Sequence, residues 1–213
     1  MTLKKKLSSA SRLYLILDKD ACAGNDLKKI LIQAIAGGID IVQLRDKSSP
    51  TKDTIRLGAK LLEICRKAGI PLIINDRLDV ALAIDADGLH VGQDDLPVRC
   101  ARKILGRQKI IGISCHSIKD VIAAQKEKCD YLGFGPVFKT LTKPWAHATG
   151  IKALRKALLI SKKPIFAIGG ITEKKLGDFV GCKPLRIAVI REICLARNPK
   201  ETAKRLKEKI RHV

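Results

Sequence analysis

The chain has 213 residues and a formal charge of +21, with 46% hydrophobic and only 3% aromatic residues. That length predicts one domain, spanning 1–213, with enough chain for a full core, which must be built from Leu, Ile, Val and Ala. The charge points first to nucleic acid, but four Phe, two Tyr and one Trp are too few to stack bases, and a positive field equally suits a protein that handles polyphosphates.

Short apolar runs alternate along the chain with longer segments of helical period. Strands are predicted at Leu13–Leu17, Ile39–Leu44, Leu72–Asn75, Gly88–Val91, Lys109–Ser114, Tyr131–Phe134, Ile165–Ile168 and Arg186–Ile190. Helices are predicted at Asp26–Ala36, Thr51–Ala68, Leu78–Ile84, Pro97–Leu105, Ile118–Lys128, Ile151–Ile160, Glu173–Phe179 and Lys200–Arg211. Within Thr51–Ala68, Ile55, Ala59, Leu62 and Cys65 recur at near-helical spacing. Gly37-Gly38, Gly69-Ile70-Pro71 and Lys163-Pro164 mark helix ends and strand entries. Met1–Lys6 is basic, but the apolar run that follows is short and ends at Asp18, so it reads as a first strand. The expectation is a cytoplasmic protein without a membrane partner. Seven cysteines without a C-x-x-C pair fit no zinc pattern and read as buried thiols of a reducing compartment. Cys115, between Ser114 and His116, is the one whose reactivity needs checking, with packing as the simpler role.

Eight βα units in this length predict a closed (β/α)8 TIM barrel. An open doubly wound sheet is the rival, but it concentrates polar residues at one switch point. Here polar clusters follow most of the strands. Gln43-Leu44-Arg45-Asp46-Lys47 follows the second strand, and alternation puts Gln43, Arg45 and Lys47 on one side. Arg and Lys together suit a phosphate group, although a rim salt bridge through Asp46 would also use them. Asn75 and Asp76 follow the third strand, and Asp95 follows the fourth. Asp76 and Asp95 beside these cations fit a Mg²⁺ site completed by water and phosphate oxygens. Each also has a local reading: Asp76 as a helix cap with Asp79, Asp95 as a turn residue before Leu96-Pro97. His90, inside a strand, reads as a satisfied rim or core residue. The loop Gly135–Thr149 is long enough for a lid and carries Thr140, Thr142 and Lys143. Gly169-Gly170 follows the seventh strand and Ile190-Arg191 the eighth, where barrels often bind phosphate. Two anion sites imply two phosphorylated small-molecule substrates. No nucleophile elbow is visible, so no covalent intermediate is expected.

In this order and spacing, the chain resembles thiamine-phosphate synthases. The resemblance is carried by Val42–Lys47, Asn75-Asp76-Arg77, Ala86–Pro97, Gly112-Ile113-Ser114, Gly133–Lys143 and Ala167–Ile171. It implies an enzyme that joins a hydroxymethylpyrimidine diphosphate to a thiazole phosphate. It also implies that Gln43 touches the pyrimidine, that Arg45, Lys47, Asn75, Ser114 and Lys143 hold the diphosphate, and that Asp76 and Asp95 bind Mg²⁺. Thr140, Thr142 and Gly170 would line the thiazole-phosphate site, and Arg45, Lys47 and Lys143 would stabilise the leaving group. The resemblance departs after the eighth strand, where Ile190-Arg191-Glu192 replaces a small Ser-containing segment. Arg191 offers a guanidinium in place of that hydroxyl. Two rivals are a thiazole tautomerase-like barrel, for which His116 is the candidate proton carrier, and a non-catalytic polyanion- or RNA-binding protein, supported by charge alone.

Overall fold

A computed structural model of the chain describes Leu7, residues 11–142 and residues 145–213. Parallel strands β1 (Leu13–Asp18), β2 (Ile41–Arg45), β3 (Leu72–Asn75), β4 (Gly88–Val91), β5 (Ile110–Cys115), β6 (Tyr131–Phe134), β7 (Ile165–Ile168) and β8 (Ile187–Val189) close into one barrel in sequence order. The closing pair sets Leu13 against Ile187 and Leu15 against Val189. Around it lie α1 (Leu27–Ala36), α2 (Thr51–Ala68), α3 (Leu78–Ala83), α4 (Val98–Leu105), α5 (Ile118–Lys126), α6 (Gly150–Ile160), α7 (Arg191–Cys194) and α8 (Pro199–His212). This is the expected (β/α)8 barrel. No helix among the described residues is long and apolar enough to cross a membrane.

Local chemistry sets the helix ends. Asp26 accepts from the backbone N–H groups of Lys28 and Lys29 at the start of α1, and Ser117 with Asp120 forms a reciprocal capping box on α5. Asn198 caps α8, with Pro199 in its first turn. Two expectations need correction. Glu173–Phe179 is a 3-10 helix, not an α-helix; Gly177 weakens a regular ladder there, and the Val180 N–H closes it on the Gly177 carbonyl three residues back. The four-residue α7 was not foreseen, because so short a helix carries no periodic signal. Strand β2 also begins two residues later than predicted, because the Asp40 carboxylate just before it accepts from the Arg12 and Leu13 N–H groups (2.7 and 2.9 Å).

Two apolar layers follow from strand alternation. Leu13, Leu15 and Leu17 of β1 face the helices, as do Val42 and Leu44 of β2. Tyr14 and Ile16 of β1 point inward, with Ile41, Ile73, Ile110, Tyr131, Phe166 and Ala188. Tyr14, Tyr131 and Phe166 meet edge to face, their ring centroids 5.3–5.8 Å apart, so three of the chain's few aromatics plug the barrel below its mouth. Such pairs contribute about 0.5–1.5 kcal/mol each beyond area burial. Glycine at 112 makes room for them: a Cβ there would lie 2.1 Å from Tyr131 Cζ and 2.5 Å from His90 Nδ1. Gly112→Ala is expected to cost about 2 kcal/mol through overpacking, read as a lower midpoint in thermal or urea unfolding.

Candidate active site

On β2 to β5 the inward positions nearest the strand ends are polar, and they line one side of a cavity of about 400 Å³. Strand β2 contributes Gln43 and Arg45, β3 Asn75, β4 His90 and β5 Ser114. Thr140 and Thr142 come from the loop after β6, Gly170 from the exit of β7, and Ile190 and Arg191 from the exit of β8. The structure therefore brings nine of the anticipated residues to one cavity. Lys47, Asp76 and Asp95 form a cluster of their own and are not among its lining residues, whereas Lys143 lies outside the described residues.

Arg45 is held by a residue on the neighbouring strand. Its guanidinium donates to the Asp18 carboxylate, which is 1% exposed and also accepts from the Ala21 N–H at 2.9 Å. Among the described residues Asp46 pairs with neither Arg45 nor Lys47, and its ion pair is with Lys19 at 3.9 Å. That carboxylate also accepts from the Ser48 and Ser49 N–H groups (3.3 and 3.0 Å), closing the turn after β2.

Lys47 Nζ lies 3.3 Å from Asp76. Burial pushes the Asp76 carboxyl above the usual carboxylate range, and the facing Asp95 pushes it further. Asp76 does not cap α3: that helix is preceded by Arg77, lacks a side-chain cap, and has its Asp79 paired with Arg77. Its backbone is instead held at φ +60°, with its N–H donated to the His90 carbonyl at 2.8 Å. Asp95 does fill its turn role, accepting from the Gly92 N–H at 2.8 Å. Two opposed carboxylates are a donor set suited to a cation. The described residues hold no group of three or more metal-ligating side chains, so any ion here would take its remaining ligands from water and phosphate, as Mg²⁺ does.

Hydrogen bonds cross the barrel interior from Gln43 to Ser114. Gln43 Nε2 donates to Tyr14 Oη (2.7 Å), Tyr14 Oη meets Tyr131 Oη (2.8 Å), Tyr131 Oη meets His90 Nδ1 (3.0 Å), and His90 Nε2 meets Ser114 Oγ (3.0 Å). Burial drives both phenol pKa values far up, so both stay protonated. His90 is thus satisfied, as expected, but it also lines the cavity.

The opposite side, at β7 and β8, is built for close approach. Gly170 has φ +62°, and a Cβ on it would lie 2.3 Å from the Lys139 carbonyl oxygen. Lys175 Nζ donates to the Gly170 carbonyl (3.1 Å) and sits 4.6 Å above the Phe138 ring. Arg191 Nε is buried without a hydrogen-bond partner among the described residues. Glu192 is turned to another use, accepting from the Glu173 N–H at 2.8 Å.

Sequence reasoning missed Asp18, Tyr14, Tyr131 and Lys175. In the structure the two phenols lie on the inward side, Tyr14 between the outward Leu13 and Leu15, but strands apolar on both faces carry no signal of that side in their sequence. Cys115 points outward into the helix layer, fully buried, and burial pushes its thiol pKa up to about 12.

Barrel and mouth together define a (β/α)8 enzyme. Residues 13–193 match the profile of the thiamine monophosphate synthase family. The chain belongs to that family. It is 45% identical over 197 residues to a thiamine-phosphate synthase of Persephonella marina, covering 92% of this chain and 93% of that one. A thiamine-phosphate synthase of Clostridium tetani is 44% identical over 85% of this chain and 87% of its own length. The thiamine phosphate pyrophosphorylase structure from Pyrococcus furiosus superposes with a TM-score of 0.88 at 32% identity, covering 99% and 98% of the two chains.

Iodoacetamide labelling of the native protein at pH 8 is expected to leave Cys115 unmodified while the half-buried Cys100 reacts. Peptide mapping reads the result, and early labelling of Cys115 would give it a reactive role.

Proposed function

We propose that the chain condenses 4-amino-2-methyl-5-hydroxymethylpyrimidine diphosphate with a thiazole phosphate, giving thiamine monophosphate and diphosphate. The observation that carries this reading is one mouth with two cationic poles. Arg45 on the cavity wall and Lys47 in the separate carboxylate cluster form one. Lys175 and Arg191, around the glycine turn, form the other. A tautomerase needs a single phosphate anchor, whereas this mouth has cations on two sides. A non-catalytic polyanion binder would not need a closed cavity.

In this mechanism Asp76 and Asp95 hold Mg²⁺, which supplies positive charge to the diphosphate. Arg45 and Lys47 donate to diphosphate oxygens, and the Asn75 amide, the Ser114 hydroxyl and Lys143 complete the grip. The bond between the pyrimidine methylene carbon and the diphosphate oxygen breaks, and its electron pair leaves with diphosphate. Arg45, Lys47 and Lys143 stabilise the charge that develops on that oxygen. Gln43 orients the pyrimidine, whose electron-rich ring supports the cation left behind. Gly170, Thr140, Thr142, Ile190 and Arg191 hold the thiazole phosphate, so that the ring nitrogen faces the same carbon and its lone pair forms the new C–N bond. No side chain acts as a nucleophile, and the protein's work is position and electrostatics.

With both substrates and Mg²⁺, the purified protein should release diphosphate and form thiamine monophosphate, and a chelator should abolish the reaction. Absence of product at every pH tried would reject the reading. Asp76→Asn should lower kcat by about 10²-fold or more with a nearly unchanged melting midpoint, since Asp76 caps no helix and asparagine tolerates its φ of +60°. Arg191→Ala should raise KM for the thiazole phosphate about tenfold, the scale of a charged hydrogen bond, and leave KM for the pyrimidine diphosphate nearly unchanged.

A further inference from the structure

We infer that Tyr14, Tyr131 and His90 are positioning residues that form a one-way hydrogen-bond relay, coupling Gln43 at one end of the cavity to Ser114 at the other. The inference rests on the function proposed above and deepens it. It begins with the donor at the head of the chain. Gln43 Nε2 can only donate, so the Tyr14 oxygen receives its hydrogen. The Tyr14 hydrogen is then directed to Tyr131, and that of Tyr131 to His90 Nδ1. With Nδ1 accepting, the neutral imidazole carries its hydrogen on Nε2, which donates to Ser114 Oγ. A doubly protonated ring would leave the Tyr131 hydrogen without an acceptor inside the fully buried aromatic plug. Every link is thus polarised in the same sense.

The two ends acquire opposite characters. With one Nε2 hydrogen given to Tyr14, Gln43 keeps its Oε1 as an acceptor for the cavity. With Oγ receiving from His90, Ser114 offers the cavity its hydroxyl hydrogen, a donor. An acceptor suits the exocyclic amine of an aminopyrimidine, and a donor suits a diphosphate oxygen. The relay therefore presents an acceptor for an amino group at one end and a donor for an anion at the other. Gly112 leaves the space in which Tyr131 and His90 meet.

Reversal of the chain tests this directly. In Gln43→Glu the new carboxylate accepts from Tyr14, so each hydrogen shifts the other way and the Ser114 hydrogen is drawn to His90 Nε2. Calorimetric titration of the full chain with inorganic diphosphate and Mg²⁺ should then show about tenfold weaker binding. In a Tyr131→Phe background, where the relay is cut but the ring remains, Gln43→Glu should change the affinity by less than about twofold. Tyr14→Phe cuts a different link and serves if Tyr131→Phe is unstable. An equal penalty in cut and uncut backgrounds, which is what plain charge repulsion would give, overturns the relay. So does the absence of any penalty. Product formation by the parent is assayed separately. Additive penalties in an active enzyme refute the relay alone, whereas coupling without product formation supports the relay and refutes the synthase reading.

Discussion

Closing eight parallel strands into one sheet forces every strand to deliver its last residues to the same end of the barrel. Everything functional in this chain depends on that constraint. Alternation then sorts each strand, so that Ile41, Gln43 and Arg45 of β2 face inward while Val42 and Leu44 pack outward on helices. The same parity puts Asn75, His90 and Ser114 inside. The edge-to-face rings of Tyr14, Tyr131 and Phe166 give the cavity a floor, and the polar residues above them become its wall. A packed interior and a reactive mouth are thus two levels of one sheet.

The cations at the mouth are held before any ligand arrives. Asp18 grips Arg45 from the next strand, and Asp76 lies against Lys47. Buried or half-buried pairs of this kind contribute little net stability, because desolvation offsets their attraction. Their value here is orientation, since a guanidinium fixed by one carboxylate reorganises little when an anion binds to its remaining N–H groups. Asp76 stands differently. Facing Asp95 within a half-buried cluster, it holds its proton more tightly than a free carboxylate, and a bound cation would relieve that repulsion.

The strands were legible because Gly, Pro and polar punctuation bounds them. Leu72–Asn75, Gly88–Val91, Tyr131–Phe134 and Ile165–Ile168 have the predicted limits, as does the long helix Thr51–Ala68. The polar residues after them were legible for the same reason. The relay was not. A strand of a covered parallel barrel is apolar on both faces, so its sequence does not say which side Tyr14 or His90 occupies. Tyr14 and Tyr131 are 117 residues apart, and only closure of the barrel brings them together. Asp18 was hidden likewise, because a lone acid ending an apolar run reads as the end of a strand, not as a partner for Arg45.

The mouth divides into halves of different construction, and this bears on how a two-substrate reaction is held. On the β2–β4 side, cations and carboxylates alternate, Arg45 with Asp18 and Lys47 with Asp76. On the β7–β8 side, the nearby carboxylates are already committed elsewhere. Glu192 accepts from the Glu173 backbone, and the Glu173 carboxylate lies 2.9 and 2.8 Å from Arg205 and Lys209 of α8. Arg191, whose buried Nε has no hydrogen-bond partner among the described residues, and Lys175 bring positive charge to the surroundings of Gly170. Glu192 still lines the cavity beside Arg191, so the two sides differ in which groups are already paired and not in a single sign of charge.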